Sequence, residues 1–339
     1  MRESLSHANW RLLLFATAVI CVAYLFRAYR WGALLAPLGP AGIRDLFIAT
    51  TVGFGAVFLL GRAGEVVRPV VLPMRDPRVR PSASFVTIMI ERIYDAIAVV
   101  LLFAINLIWF KPPTTLGESV ILRIRIAGVV LTLGAILGVV GLIWFRRRSI
   151  SVVSWLRTRL DRWRFVPARL TKLILSILEQ LARALRVLVD ARELAVTIGW
   201  TALVWAGITL ANLLVLRGFG IPFGLSETVF VLGWSLVGSL VPTPGGAAGA
   251  FHAATAAGLL FLGVSRETAA AVAIVMHVVD FGPAVLFGFF YFLKGDIDIK
   301  RLRTFASQEA VEHAVEDEEI TPKTELPTEQ RLEGVTAAE

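Results

Sequence analysis

Apolar residues come in long blocks along this chain, separated by short polar stretches, and the block lengths set the first expectations. Residues 10–26 are long and apolar enough to cross a bilayer, with Arg27, Arg30 and Trp31 after them as an interfacial belt. Residues 31–38 read as a short amphipathic piece that leads through Gly39-Pro40 to Asp45. The block 46–60, if helical, reaches only about 22 Å against a hydrocarbon core of about 30 Å. It therefore predicts a short span, or one arm of a re-entrant pair completed by residues 61–72. Residues 73–81, with Arg75, Arg78 and Arg80 among prolines, predict a cytoplasmic loop. Long spans are expected at 84–110 and at 120–145, the second closed by Arg146-Arg147-Arg148, with Arg123 and Arg125 snorkelling at its outer end.

The second half repeats this rhythm. A span at 193–216 ends in the turn Gly218–Pro222. Two short apolar arms, 227–241 and 250–262, then flank a Pro/Gly break from Pro242 to Gly249. Such a broken pair is tolerated at membrane depth where it is buried or lines a wet cavity. A last span, 268–293, is interrupted at Gly282-Pro283. The expected fold is an all-α integral membrane protein, a polytopic helical bundle over residues 1–295. It has two pseudo-repeats, about 10–110 and 193–294, each with a broken or re-entrant helix pair. The charge flags permit an inverted relationship: re-entrant pairs give five spans and an external N-terminus, and fully crossing pairs give eight segments with both termini inside.

Composition agrees, with 56% hydrophobic residues and mean hydropathy +0.72. The formal charge of +8 conceals an asymmetry, because ten acidic and two basic residues from Phe305 onward leave residues 1–304 at +16. Residues 296–339 read as a disordered acidic cytoplasmic tail. Residues 146–192 carry twelve Arg or Lys against three acids, with a leucine-rich helical stripe from Leu170 to Leu188 behind Trp155 and Trp163. That pattern suits the anionic inner leaflet of the cell membrane better than nucleic acid. Cys21 is the only cysteine, so no intrachain disulfide is expected, and residues 24–27 do not offer a signal-peptide cleavage site.

Candidate chemistry sits where charges interrupt the apolar blocks. In Gly61-Arg62-Ala63-Gly64-Glu65-Val66-Val67-Arg68-Pro69, an i, i+3 helical spacing puts Arg62, Glu65 and Arg68 on one face as an anion-reading surface. The alternative is an Arg-rich flank that anchors a helix end. Glu91 and Asp95, beside Arg92, share a face of a predicted span and need a cation, for which Arg62 or Arg68 is the natural partner. A structural ion pair that ties two helices together is the plainer reading. In the second half Pro244, Gly245, Gly246 and Gly249 would let backbone approach a headgroup, and His252 follows them. His277 and Asp280, three residues apart, form a candidate proton site or a helix-packing hydrogen bond. His252 with His277 would need two more ligands to hold a metal, so no metal and no cofactor are expected. No phosphate-cradling loop and no serine elbow is present.

Arg30-Trp31, the 61–69 stretch, Glu91-Arg92-Ile93-Tyr94-Asp95, and Pro242-Thr243-Pro244-Gly245-Gly246 with Gly249-Ala250-Phe251 together resemble the lysylphosphatidylglycerol synthase transmembrane-region family, also called the flippase-like domain family. The resemblance covers residues 10–295. It implies an all-helical membrane domain that in some members moves a lipid, such as an aminoacylated phosphatidylglycerol, between leaflets; other relatives handle hopanoids or glycolipids. Where the family pattern has Asn and Pro before Gly61, this chain has Val57 and Leu60, and where it has an acid after the Phe, this chain has His252. A headgroup contact made by that acid is lost or pH-sensitive here. Residues 296–339 are too few and too acidic for the family's soluble synthase domain, so lipid synthesis is not expected. The leading expectation is a non-enzymatic lipid translocase or lipid-binding membrane protein. Alternatives are a partner subunit of a separate lipid synthase, acting through the 146–192 surface, and a membrane-embedded lipid-modifying transferase with Glu91, Asp95 or His252 as base. Expected partners are membrane lipids, an anionic phospholipid or a modified lipid, with a separate synthase and a second copy of the chain left open.

Overall fold

The computed structural model describes residues 6–36, 38–111, 118–162, 191–241 and 244–294, and every regular element among them is helical. Helix α1 is Trp10–Leu35 and α2 is Ile43–Leu60; a 3-10 segment, Gly61–Val66, leads into α3, Val67–Arg75. Then follow α4 (Pro81–Trp109), α5 (Glu118–Arg162), α6 (Ala191–Gly218), α7 (Leu225–Ser239), α8 (Pro244–Phe261) and α9 (Arg266–Leu293). Four of these are long and apolar enough to cross a membrane: α1, α6, α9 and the Ile121–Gly138 part of α5. The 29-residue α4 has the length but carries Glu91, Arg92 and Asp95. The protein is a multi-pass helical membrane protein.

Several boundaries move for physical reasons. Helix α1 starts where the Asn9 side chain accepts from the N–H groups of Arg11 and Leu12, and the Asn9 N–H donates to the Gly218 carbonyl at 2.7 Å. It does not end at Phe26 in an interfacial belt. It runs on to Leu35, because Arg30 and Trp31 are fully buried against protein. The loop expected at 73–81 shrinks to Asp76–Arg80, since Pro73 lies inside α3. Within it Asp76 accepts from Arg78 Nε and Nη2, both at 2.8 Å, and these bonds hold its carboxyl below the ordinary value. Helix α5 continues through Arg146-Arg147-Arg148 as one 45-residue helix. The stretch 163–190, most of the expected basic amphipathic segment, lies outside the described residues, as do the tail and Pro242-Thr243. The glycine-rich break is largely the first turns of α8, with Ala247 at φ +64°, and Pro283 does not interrupt α9.

The two broken pairs are antiparallel helical hairpins. In the first, Gly61 takes φ +63°, a left-handed turn that favours glycine. A Cβ on Gly53 would lie 2.5 Å from the Arg68 Cβ, and one on Gly64 would collide with the Ala56 carbonyl. At the open end Arg75 Nε donates to Asp45 Oδ1 at 2.8 Å. The paired positions 45/75, 53/68 and 56/64 define the antiparallel register. In the second, Gly238 meets the Ala250 carbonyl, Ser235 Oγ lies 2.8 Å from Thr255 Oγ1, and the Phe230 and Phe261 ring centres lie 5.3 Å apart.

Neighbouring helices fix how these hairpins sit. Helix α1 runs antiparallel to α6, as Asn9 to Gly218 and Tyr29 on Trp200 show. Gly288 of α9 faces the Thr51 carbonyl of α2, so the end of α9 lies beside the start of the first hairpin. The first hairpin therefore opens at the Leu35 end of the bundle and the second at the Asn9 end. The core follows, with one apolar cluster along α1, α6, α8 and α9 (Leu13, Ile20, Leu216, Phe251, Met276) and another at the first hairpin around Trp31, Leu46 and Leu72.

Candidate functional site: a buried arginine–carboxylate chain at a central cavity

The face of α1 that buries Ala16, Ile20, Ala23 and Tyr24 continues at helical spacing into Ala28, Arg30 and Trp31. It presents Arg30 to α4, where Glu91 and Asp95 lie one turn apart. Arg30 Nη1 and Nη2 donate to Asp95 Oδ1 and Oδ2 at 2.6 and 3.0 Å, and Nη2 also lies 3.0 Å from Glu91 Oε1. Arg68 meets Glu91 from the other side, with Nη1 to Oε1 at 2.6 Å and Nη2 to Oε2 at 3.0 Å. Its guanidinium lies 4.2 Å from the centre of the Trp31 ring, and the Trp31 Nε1–H donates to Thr87 Oγ1. Asp95 also accepts from Trp205 Nε1 at 3.2 Å and lies 3.8 Å from Arg27 Nη1. The order is Arg68, Glu91, Arg30, Asp95, Arg27: three cations and two anions, shared by α1, α3 and α4. Buried charges persist when each is paired with good geometry, and two forked guanidinium–carboxylate contacts supply it.

The chain ends in the cavity. Arg27 is the cation with the weaker contact, and its side chain lines a cavity of about 100 Å³ bounded also by Tyr24, Phe54, Trp205, Ser235 and Asp280. The remaining walls are chiefly apolar, among them Ile20, Leu232, Phe251 and Phe281. Asp280 Oδ1 receives Asn212 Nδ2 at 3.5 Å, and the Tyr24 hydroxyl donates to the Asp280 backbone carbonyl at 3.0 Å. The Phe54 ring lies beneath three guanidiniums, 4.8 Å from Arg27, 5.8 Å from Arg68 and 6.0 Å from Arg92. A polar wall of one arginine and one carboxylate within an apolar chamber of this size can hold a polar group about as large as a phosphate.

The expected site residues are distributed unevenly. Arg68, Glu91 and Asp95 come together, but Arg68 turns inward to Glu91. Glu65 instead faces Arg92 at 3.8 Å, both about two-fifths exposed, so Glu65 and Arg68 do not share the one face expected for Arg62, Glu65 and Arg68. The side chain of Arg62, with Pro244, Gly245 and Gly246 beyond their helical backbone, lies outside the described residues. Gly249 faces open space. His252 and His277 have ring centres 4.8 Å apart, and His277 lies among Phe58, Phe251 and Phe281. Among the described residues no group of three or more His, Cys, Asp or Glu is set to hold a metal. Arg27 and Arg30 were missed as site residues; their signal was the helical stripe through Ile20 and Tyr24, which they extend. No curated protein and no solved structure matches the chain. The family described as Lysylphosphatidylglycerol synthase TM region matches residues 1–288, and this chain belongs to that family.

Proposed function

We propose that the protein binds a membrane lipid by its headgroup in the central cavity and moves it between leaflets of the cell membrane, with residues 295–339 on the cytoplasmic side. Membership of a family named for the membrane region of a lipid synthase gives the general setting, lipid modification or translocation. The observation that carries the finer reading is Arg27. It closes a chain of three cations and two anions, and it reaches a mostly apolar cavity while its nearest carboxylate contact is 3.8 Å. A lipid phosphate on Arg27 would gain the shorter, charge-assisted bonds that Asp95 does not make there. Glu65 and Arg92, exposed near the first hairpin, would meet the headgroup on its way in, and His277 with Asp280 remains the candidate proton site.

The test is leaflet exchange in proteoliposomes with labelled anionic, aminoacylated and glycosylated lipids, comparing wild type with Arg27→Gln. Exchange of one lipid class is expected, reduced about ten-fold or more in the variant, the scale of one lost hydrogen bond to a charged group. Equal exchange by a folded Arg27→Gln protein removes Arg27 from the mechanism; no exchange of any class by wild type removes the translocase reading. A second reading, a partner subunit for a separate lipid-modifying enzyme, draws on α5. At 45 residues it is about 67 Å long, well beyond a core of about 30 Å, and carries Arg146-Arg147-Arg148 past its apolar part.

A further inference from the structure

A second hollow lies on the lipid side of Trp205. It has a volume of about 550 Å³ and is enclosed by α4, α6 and the start of α7, with walls of Ala98, Leu102, Ala202, Ala206, Leu225 and Val229. Ala202, Ala206 and Leu210 are exposed, so the crevice opens laterally. Hydrocarbon fills any such opening in a bilayer, and apolar walls alone would say nothing more. Two further observations do. Trp205 lines both this crevice and the charged cavity, with its Nε1–H turned to Asp95, so one indole separates the apolar space from the cationic one. Thr209 carries the one side-chain hydroxyl among the crevice-lining residues; it is 8% exposed, and its Oγ1 is itself closed to the crevice and has no hydrogen-bond partner among the described residues. Thr197 and Thr201 on the same helix each donate to the carbonyl four residues back; Thr209 does not. A buried hydroxyl without a partner is costly, and a turn about χ1 that brings it to the crevice surface would let an acceptor on a ligand remove that cost.

We propose that this crevice is the acyl-chain subsite of the lipid whose headgroup occupies the cavity, and that Thr209 turns about χ1 to donate its Oγ1–H to the ester carbonyl of that lipid. The proposal rests on the lipid reading above and deepens it. The lipid straddles Trp205, with headgroup toward Arg27, ester beside Thr209 and chain along Ala98, Ala202 and Ala206. Small side chains at these positions leave the width of the crevice. The recognised class is an ester-linked acyl lipid, and an ether-linked lipid of the same headgroup lacks the acceptor.

The experiment uses the full chain in proteoliposomes containing a phosphatidylglycerol with a photoactivatable diazirine near the glycerol end of one acyl chain. Adducts are mapped by mass spectrometry. Labelling at Leu102 and Leu210 is expected several-fold above that at Leu133 and Leu137, which are exposed on α5 without a crevice. Ala206→Trp should bring the crevice labelling down to the α5 level. Unlabelled diester phosphatidylglycerol should compete about three- to ten-fold better than the diether form, the scale of one net hydrogen bond. Thr209→Val, which keeps the shape, should abolish that preference. Equal labelling of crevice and α5, or crevice labelling unchanged by Ala206→Trp in folded protein, overturns the subsite. Equal competition by diester and diether lipids against wild type overturns the role of Thr209. None of these readouts requires transport, so a wild type that labels as expected but exchanges no lipid leaves the subsite standing and removes the translocase reading alone.

Discussion

At the residue scale, the acids of the site were legible and two of their cations were not. Glu91 and Asp95, one turn apart in an apolar helix, demand cationic partners on electrostatic grounds alone, and Arg68 is one of them. Arg27 and Arg30 follow a long apolar block, where an arginine anchoring a helix at the headgroups has the same local sequence as one buried in the bundle. What separates the cases is whether the helix continues, and that depends on packing of Trp31, Leu34 and Leu35 against distant residues. The shared carboxylate of Glu91 makes a sharp stability prediction. Arg68→Leu leaves Glu91 with Arg30 alone and should cost about 3–5 kcal/mol, the scale for breaking a buried pair. Arg68→Met with Glu91→Met removes both charges, keeps the Arg30–Asp95 fork, and should cost distinctly less. Chemical denaturation in detergent measures both; a double variant as unstable as the single one would show that the pair contributes more than its desolvation.

At the element scale, the short apolar blocks foretold two broken pairs, but composition made the second break longer than it is. Glycine and proline clusters read as loops by composition, yet proline is tolerated in a first helical turn, and glycine in a membrane helix is often a point of close packing. Hence Pro244 to Gly249 begins α8, and Pro283 sits within α9. The true turn of the first hairpin, at Gly61, was inside the stretch already singled out for its charges. The packing argument separates structural glycines from a candidate functional one. Gly64→Ala drives a methyl into the Ala56 carbonyl and should destabilise by about 1–3 kcal/mol, as overpacking does. Gly249 faces open space, so Gly249→Ala should not destabilise; loss of lipid exchange without loss of stability would mark it as a place where a headgroup comes close. Thermal unfolding with the exchange assay distinguishes the two, and destabilisation by Gly249→Ala would make that glycine structural as well.

At the scale of the whole molecule, the hairpins open at opposite ends of the bundle, and this geometry bears on the choice that block lengths left open. A hairpin that returns to its starting end, as the Asp45–Arg75 contact requires of the first, leaves its flanking helices α1 and α4 to enter and leave from that same end. Applied to both hairpins, the same reading would make α1, α4, α5, α6 and α9 the five crossings and, by the positive-inside rule, would put the Asn9 end outside and the Arg80 end inside. Such an arrangement would make the two halves inverted and would put the cavity between them where broken helices of opposite entry meet, the usual position of a transporter's substrate site. Sidedness decides it. In a Cys21→Ala background, a membrane-impermeant maleimide applied to intact cells should label His7→Cys and Pro222→Cys, and label Arg80→Cys only after permeabilisation. Labelling of Pro222→Cys but not His7→Cys would mean that the first pair crosses fully and that the halves are not inverted copies. Labelling of Arg80→Cys from outside would reverse the whole orientation and place the first hairpin's opening, with Asp45 and Arg75, on the outer face.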